Sequence, residues 1–324
     1  MELLTVEQTA AFLRKNDGYL VLTHVRPDGD AHGSAAALVR ILRALGKTAY
    51  VLYNPETTEK FLPVVRELWA PDGWSPKTVV SVDLASEGLF PSNAACHAGN
   101  VALGIDHHPS NTGYAARTCL NGQRASCGEI ICEIARTLGI EPDVPMAEAI
   151  YIAVSTDTGC FSYANATANA FSTAAAMAAA GADIAEWNRI LFRTRSRRRI
   201  ALEGMIYSGA EFYHDGKVAV ITVTRRMMEE SGCTENDMDD VAAIPGGIEG
   251  VACGITLREM TSPTDCKVSV RTTQDVNASE LCGVLGGGGH AMAAGASPRG
   301  MTTDEMKRVL LKELERMLKG ADET

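Results

Sequence analysis

"YLVLTHVRPDGDAHGSAAALVRILRALG", residues 19–46, is the stretch whose reading decides the fold. It opens on the apolar run Tyr19 to Leu22 and breaks at Pro27 and Gly29. It then runs on as an alanine- and leucine-rich helical segment to Gly46, where a left-handed C-cap would close it. The same texture recurs up to about residue 185, in "TAYVLY", "KTVVSVD", "NVALGID", "GEIICEIARTLG" and "MAEAIYIAVSTDTG". β-Branched runs that alternate with helical stretches predict right-handed βαβ units. The expected N-terminal architecture is therefore α/β, an open and mainly parallel β-sheet flanked by helices over residues 1–185.

From residue 183 the chain reads "DIAEWNRILFRTRSRRRIALEGMIYSGAEFY", a polar-apolar helical pattern taken as a connector helix over 186–210. Beyond it, "KVAVITVT", "GVACGITLRE" and "CKVSVRTT" read as strands, and "ASELCGVL" and "TDEMKRVLLKELERMLKG" as helices. That predicts a smaller C-terminal α+β domain over 211–324.

Composition narrows the function. With 324 residues, a net charge of −10 and 46% hydrophobic residues, the chain has ample core but no broad basic face for neutralising the phosphates of a duplex. Duplex DNA is not an expected partner, whereas short anionic substrates are. No charge-free apolar run reaches membrane-spanning length, and the amphipathic first residues lack the basic start and apolar core of a signal peptide, so a cytoplasmic protein away from membranes is expected. Nine cysteines without a C-x-x-C pair suggest reduced, buried thiols rather than a disulfide or zinc framework.

Four places end an apolar run, read as a strand, on ionisable groups: His24, Asp28 and Asp30; Asp83; Asp106, His107 and His108; and Asp157. Loops at the carboxyl ends of parallel strands gather on one edge of the sheet, where ligands bind. So many carboxylates in one cleft would raise each other's pKa and oppose folding unless cations neutralise them. Imidazoles and carboxylates without thiolates favour a hard or borderline divalent ion, Mn²⁺ above others. One Asp could bridge two such ions roughly 3.5–4 Å apart, the arrangement of two-metal phosphoester hydrolysis. Taken singly, Asp83 and Asp157 read equally well as a helix cap or a turn residue, and the pair His107-His108 as a solvated loop.

"H-x-x-P-D-G-D-A-x-G-S" at 24–34, Asp83 in "SVDLAS", "DHH" at 106–108 and "STDTGCF" at 155–161 resemble the four motifs of the DHH phosphoesterase superfamily. "GGGGHAMAAGA" at 286–296 resembles the glycine-rich signature of its associated C-terminal domain. The whole is most similar to the nano-RNase branch, the oligoribonuclease and 3′-phosphoadenosine-5′-phosphate phosphatase type. The resemblance implies that His24, Asp28 and Asp83 hold one metal and that Asp30, Asp83, His107 and Asp157 hold the other, with Asp83 as the bridge. It further implies that His108 faces the scissile phosphate and that Asp106 orients the imidazoles.

In the C-terminal domain, Gly286, Gly287, Gly288 and Gly289 would let backbone amides approach an anion, His290 would add a polar tip, and Arg271 would clamp a phosphate. Ala291 and Met292 stand where many relatives have basic residues. His32 is expected to point outward as a bystander, Ser34 to serve as a cap or support, and "RTRSRRR" at 193–199 to form a solvated, salt-bridged helix face.

The function expected is hydrolysis of short oligonucleotides or dinucleotides such as pApA to mononucleotides, with the 3′-phosphate of 3′,5′-bisphosphoadenosine as a further substrate. Short oligonucleotides or nucleotides are the expected partners, and a homodimer is compatible with the sequence. The alternatives are a phosphodiesterase of a cyclic-dinucleotide pathway, or a non-catalytic nucleotide- or RNA-binding module.

Overall fold

The computed structural model describes residues 1–273 and 276–321. The chain divides into two units, 1–194 and 195 onward. The first unit contains β1 (Glu2–Leu3), α1 (Val6–Lys15), β2 (Tyr19–Leu22), α2 (Gly29–Ala44), β3 (Ala49–Val51), α3 (Leu62–Val65), β4 (Thr78–Val82), β5 (Leu103–Asp106) and β6 (Arg117–Leu120). It continues with α4 (Cys127–Leu138), α5 (Val144–Asp157), α6 (Ala168–Ala179) and α7 (Ile184–Asn188). The six strands form one parallel sheet in the order β1-β6-β5-β4-β2-β3.

Strand β2 shows why the sheet is central. Tyr19 and Val21 face one buried cluster with α1, α2, α4 and α5, while Leu20 and Leu22 face a second with Val79, Val101 and Ala115. Both faces are covered, so the strand is apolar throughout, at about 1.5–3 kcal/mol of burial per large side chain. The chain leaves β2 toward β3 on one side and returns to β4 on the other. The carboxyl ends of β2 and β4 therefore flank a topological switch point, the place where an open α/β sheet leaves a crevice.

Two expectations need correction. "AIYIAVSTD" is helical, not a strand: Asp143 caps α5 by accepting from the Met146 amide, and Pro145 sits in the first turn. The run looks strand-like because α5 is enclosed by other helices and is apolar nearly all round. Asp157 is thus the last residue of a helix. The stretch read as one connector helix is broken: after α7 comes a π-helical turn, Arg189–Arg193, and Thr194 is extended before Ser196 caps the next helix. The strands β1 and β6, absent from the sequence reading, are short: β1 is an exposed edge strand of two residues, and β6, paired between β1 and β5, buries only its two middle residues.

The second unit contains α8 (Arg197–Ser208), β7 (Glu211–Tyr213), β8 (Val218–Val223), α9 (Arg225–Ser231), β9 (Cys253–Ser262), β10 (Asp265–Thr272), α10 (Ala278–Gly283), β11 (Gly288–His290), β12 (Ala293–Ala296) and α11 (Thr303–Ala321). Its sheet runs β11-β12-β10-β9-β8-β7, with only β8 and β9 parallel. Arg199 is not part of a solvated face. It is buried, donating from Nε to Glu203 at 2.7 Å and from Nη1 to the carbonyls of Asp237 and Asp239 at 2.5 and 2.6 Å. Among the described residues, no helix is long and apolar enough to cross a membrane.

Candidate metal centre

Every ionisable residue singled out at the first sheet's edge, His32 apart, enters one cluster. Asp83 follows β4 and is 3% exposed in its side chain, with Oδ2 lying 3.7 Å from His24 Nε2 and Oδ1 lying 3.4 Å from His107 Nε2. His24 Nε2 is also 3.8 Å from Asp28 Oδ1. On the other side, His107 Nε2 is 3.3 Å from Asp157 Oδ2 and 3.7 Å from Asp30 Oδ2. The two groups that could hold an ion, His24-Asp28-Asp83 and Asp30-His107-Asp157, are thus each approached by a different oxygen of Asp83. A third group, Asp83-His107-His108, overlaps them.

Backbone chemistry aims the donor atoms. His24 donates from Nδ1 to the Val25 carbonyl at 2.7 Å and His107 from Nδ1 to the Arg124 carbonyl at 3.1 Å, so each turns Nε2, the nitrogen a cation would take in exchange for a proton, toward the cluster. Asp28 caps α2 through the Ala31 amide. Asp30 lies in the first turn of α2 and is completely buried; it accepts from Ser34 Oγ and from the Cys127 and Gly128 amides at the start of α4. Asp83 has a left-handed backbone, φ 53°, which costs energy in a residue other than glycine.

The electrostatics fit a metal pair. Burial, then the neighbouring Asp30 and Asp28 charges, push Asp83 well above the usual carboxylate range, and burial with Asp30, Asp28 and Asp83 does the same to Asp157. Burial pushes Asp30 up to about 6 despite His107. Burial opposes charge on His24, but Asp28 and Asp83 outweigh it and raise His24 to about 9. Asp83 Oδ1 and His107 Nε2 are buried and have no hydrogen-bond partner among the described residues. Two orphaned acceptors amid repelling carboxylates are what cations would satisfy.

His108 differs from its neighbour. It donates from Nδ1 to Asp106 Oδ1 at 2.8 Å and keeps a third of its side chain exposed, so Nε2 is available to a ligand. Burial would raise Asp106, but the bonds from His108 and Asn111 hold it below the usual range. Three supporting residues escaped the sequence reading. Asn54 donates to the His24 carbonyl at 2.9 Å, Asn111 to Asp106 Oδ2 at 2.6 Å, and Asn165 to the Asp157 carbonyl at 3.0 Å. Loop asparagines are too common to stand out; only the three-residue spacing of Asn111 from His108 offers a signal.

His32 does not point outward as expected. It is 2% exposed, packs against Phe61 with ring centroids 5.0 Å apart, and leaves both ring nitrogens without a hydrogen bond. Burial lowers it to about 3, so it is neutral, and it belongs to none of the three ligand groups. The reason is helical phase: it sits on the α2 face that the segment carrying Phe61 covers.

In the second unit, Arg271 on β10 and His290 on β11 each stand opposite Ala293 of the intervening β12. Directly opposed residues project to one face, so the two basic side chains share a face with only a methyl between them. The glycines are not uniform. A Cβ on Gly287 would lie 2.3 Å from the Gly295 carbonyl oxygen, so backbone packing requires that glycine, whereas a Cβ on Gly288 would meet open space.

The parallel sheet, its switch point and this Asp/His cluster define a class of protein, and comparison with known proteins identifies it. Residues 19–154 match the DHH family, N-terminal domain, and residues 215–320 match the DHHA1 domain. The chain belongs to the DHH family. It is 33% identical to the bifunctional oligoribonuclease and PAP phosphatase NrnA of Thermus thermophilus, over 90% of this chain and 87% of that one. It is 26% identical to the NrnA of Bacillus subtilis, over 91% and 93%. Among solved structures, an exopolyphosphatase-related protein from Bacteroides fragilis has a TM-score of 0.86 at 23% identity, covering 97% of both chains. RecJ of Thermus thermophilus in complex with Mn²⁺ has a TM-score of 0.55 at 15% identity, over 96% of this chain and 55% of that one.

Proposed function

We propose that this chain is a two-metal-dependent phosphodiesterase that hydrolyses short oligonucleotides, dinucleotides such as pApA among them, to mononucleotides. The 3′-phosphate of 3′,5′-bisphosphoadenosine is a second substrate of the same site. The observation that carries the reading is Asp83, which turns one carboxylate oxygen toward each of two imidazole-carboxylate groups. His24 and Asp28 hold one divalent ion with Asp83, and Asp30, His107 and Asp157 hold the other with it. Mn²⁺ suits this nitrogen and oxygen donor set.

When bound, the ions supply positive charge to the phosphoryl oxygens and activate a water for in-line attack. The chain does the rest. His108, its Nδ1 held by Asp106, presents Nε2 to a phosphoryl oxygen as charge grows there. Asp106 keeps its own charge because every bond it accepts favours the anion. In the second unit, Arg271, His290 and the amides of Gly286 to Gly289 are the substrate-binding groups, suited to a phosphate, with Gly288 as the open approach. The first unit is thus catalytic and the second binds substrate, in a cytoplasmic enzyme of nucleotide turnover.

The test presents pApA, a short RNA, a short DNA and 3′,5′-bisphosphoadenosine to the purified protein with Mn²⁺ or Mg²⁺. Mononucleotide release from pApA and the short RNA is expected, abolished by chelation. If no member of the panel is cleaved with either ion, the proposal fails.

A further inference from the structure

We propose that Asn111 is a positioning residue that fixes the ring of His108 through Asp106. Asn111 Nδ2 donates to Asp106 Oδ2 at 2.6 Å, and Asp106 Oδ1 accepts from His108 Nδ1 at 2.8 Å. The same Oδ1 takes the backbone amides of His107 at 2.8 Å and His108 at 3.3 Å. Asp106 is 1% exposed, so water does not orient its carboxylate. Its plane is set by these donors, and Asn111 is the one side chain besides His108 among them.

A structural reading of Asn111 would make it an ordinary turn former. It does form such a turn: Oδ1 accepts from the Gly113 amide at 2.8 Å, and its own amide donates to the His108 carbonyl at 3.0 Å. That role uses only the oxygen. The side-chain NH₂ is surplus to the turn, and both of its contacts lead into the metal centre. One is Asp106; the other is the Leu84 carbonyl at 3.4 Å, directly after Asp83. The Thr112 amide donates to the Ala85 carbonyl at 2.8 Å, which pins the same two loops together. A neutral amide offers two donors and an acceptor, the set this position uses. A carboxylate here would keep the turn but set acceptor against acceptor at Asp106.

Asn111→Asp therefore separates the two roles, and Asn111→Ala removes both. The inference rests on the reading that His108 acts on the substrate phosphate. With pApA and Mn²⁺, Asn111→Asp is expected to lower kcat by about 10- to 100-fold while KM moves less than about threefold. Added to His108→Ala, it costs less than about twofold, because the residue it positions is gone. Equal losses in both backgrounds, or unchanged kcat in Asn111→Asp, overturn the inference. A second measurement needs no turnover: in the metal-free protein, the His108 Nδ1 proton, held by a carboxylate, gives a downfield proton resonance. That resonance is expected to shift or vanish in Asn111→Asp and to persist in Asn54→Ala; an unmoved resonance refutes the proposal. Failure of the wild-type protein to cleave any substrate refutes the functional reading instead, and the resonance then decides the positioning role alone. If Asn111→Asp does not fold, Asn111→Ser, whose hydroxyl keeps an acceptor for the Gly113 amide while the NH₂ donor to Asp106 is gone, is put through both measurements, with the same results deciding.

Discussion

Replacing Gly33 by alanine tests how the helices set the metal centre. A Cβ on Gly33 would lie 2.3 Å from the Ala149 carbonyl oxygen, 2.8 Å from the Ala153 amide nitrogen and 2.9 Å from the Ala153 Cβ. All three belong to α5, two of them to its backbone, so no side-chain rotation relieves the clash. Ordinary contact begins near 3.4 Å, and 3.4 less 2.3 leaves about 1.1 Å for α2 and α5 to move apart. Asp30 rides on α2 and Asp157 ends α5, and with His107 they form one of the groups that could hold an ion. Metal-ligand distances tolerate about 0.2 Å, well short of that separation. Calorimetric titration with Mn²⁺ should show binding at this group weakened by about tenfold or more, and overpacking should cost about 1–3 kcal/mol in thermal unfolding. Two Mn²⁺ sites both within twofold of the wild type would refute the reasoning.

His32→Leu should leave Mn²⁺ affinity unchanged and hold or raise the melting temperature, since two unpaired buried nitrogens cost about 1–3 kcal/mol each; lost metal binding would make His32 a ligand. In the metal-free protein, Asp83, Asp157, Asp30 (about 6) and His24 (about 9) all bind protons more tightly when folded. Their stabilisation is complete below the unfolded pKa values and is lost as pH rises through the folded ones, while Asp28 and Asp106, both lowered, lose theirs as pH falls. Melting of the metal-free first unit should therefore fall from about pH 4 to about pH 9, and the gain on adding Mn²⁺ should grow over that window; a metal-induced gain independent of pH would contradict this. Arg271→Ala should raise KM for pApA by about tenfold, with kcat within about threefold, and leave KM for unphosphorylated ApA alone; equal effects on both substrates would remove its role at a phosphate.

How far the sequence speaks depends on what each residue's signal consists of. His24, Asp28, Asp83, Asp106 and His107 were legible because a strand's end is marked by its apolar run, and parallel strands bring their ends to one edge. Asp157 was legible as a residue but not as to its element, since α5 is apolar nearly all round and its β-branched run mimics a buried strand. The burial of His32 was not legible, because it depends on the Phe61 segment arriving from 29 positions away. Asn54, Asn111 and Asn165 act through side-chain hydrogen bonds at isolated loop positions, which leave no periodicity. Gly287 looked like part of a ligand loop, and its packing against β12 depends on strand pairing that a run of glycines does not reveal.

The central claim is that Asp83 joins two ions into one catalytic site. Counting Mn²⁺ bound per chain while following pApA hydrolysis, in the wild type and in Asp83→Asn, tests it most directly. Two ions per chain, AMP released only when both are bound, and loss of turnover with weakened binding at both sites in Asp83→Asn are predicted. A single ion at full activity, or an Asp83→Asn variant that still turns over pApA, would contradict it.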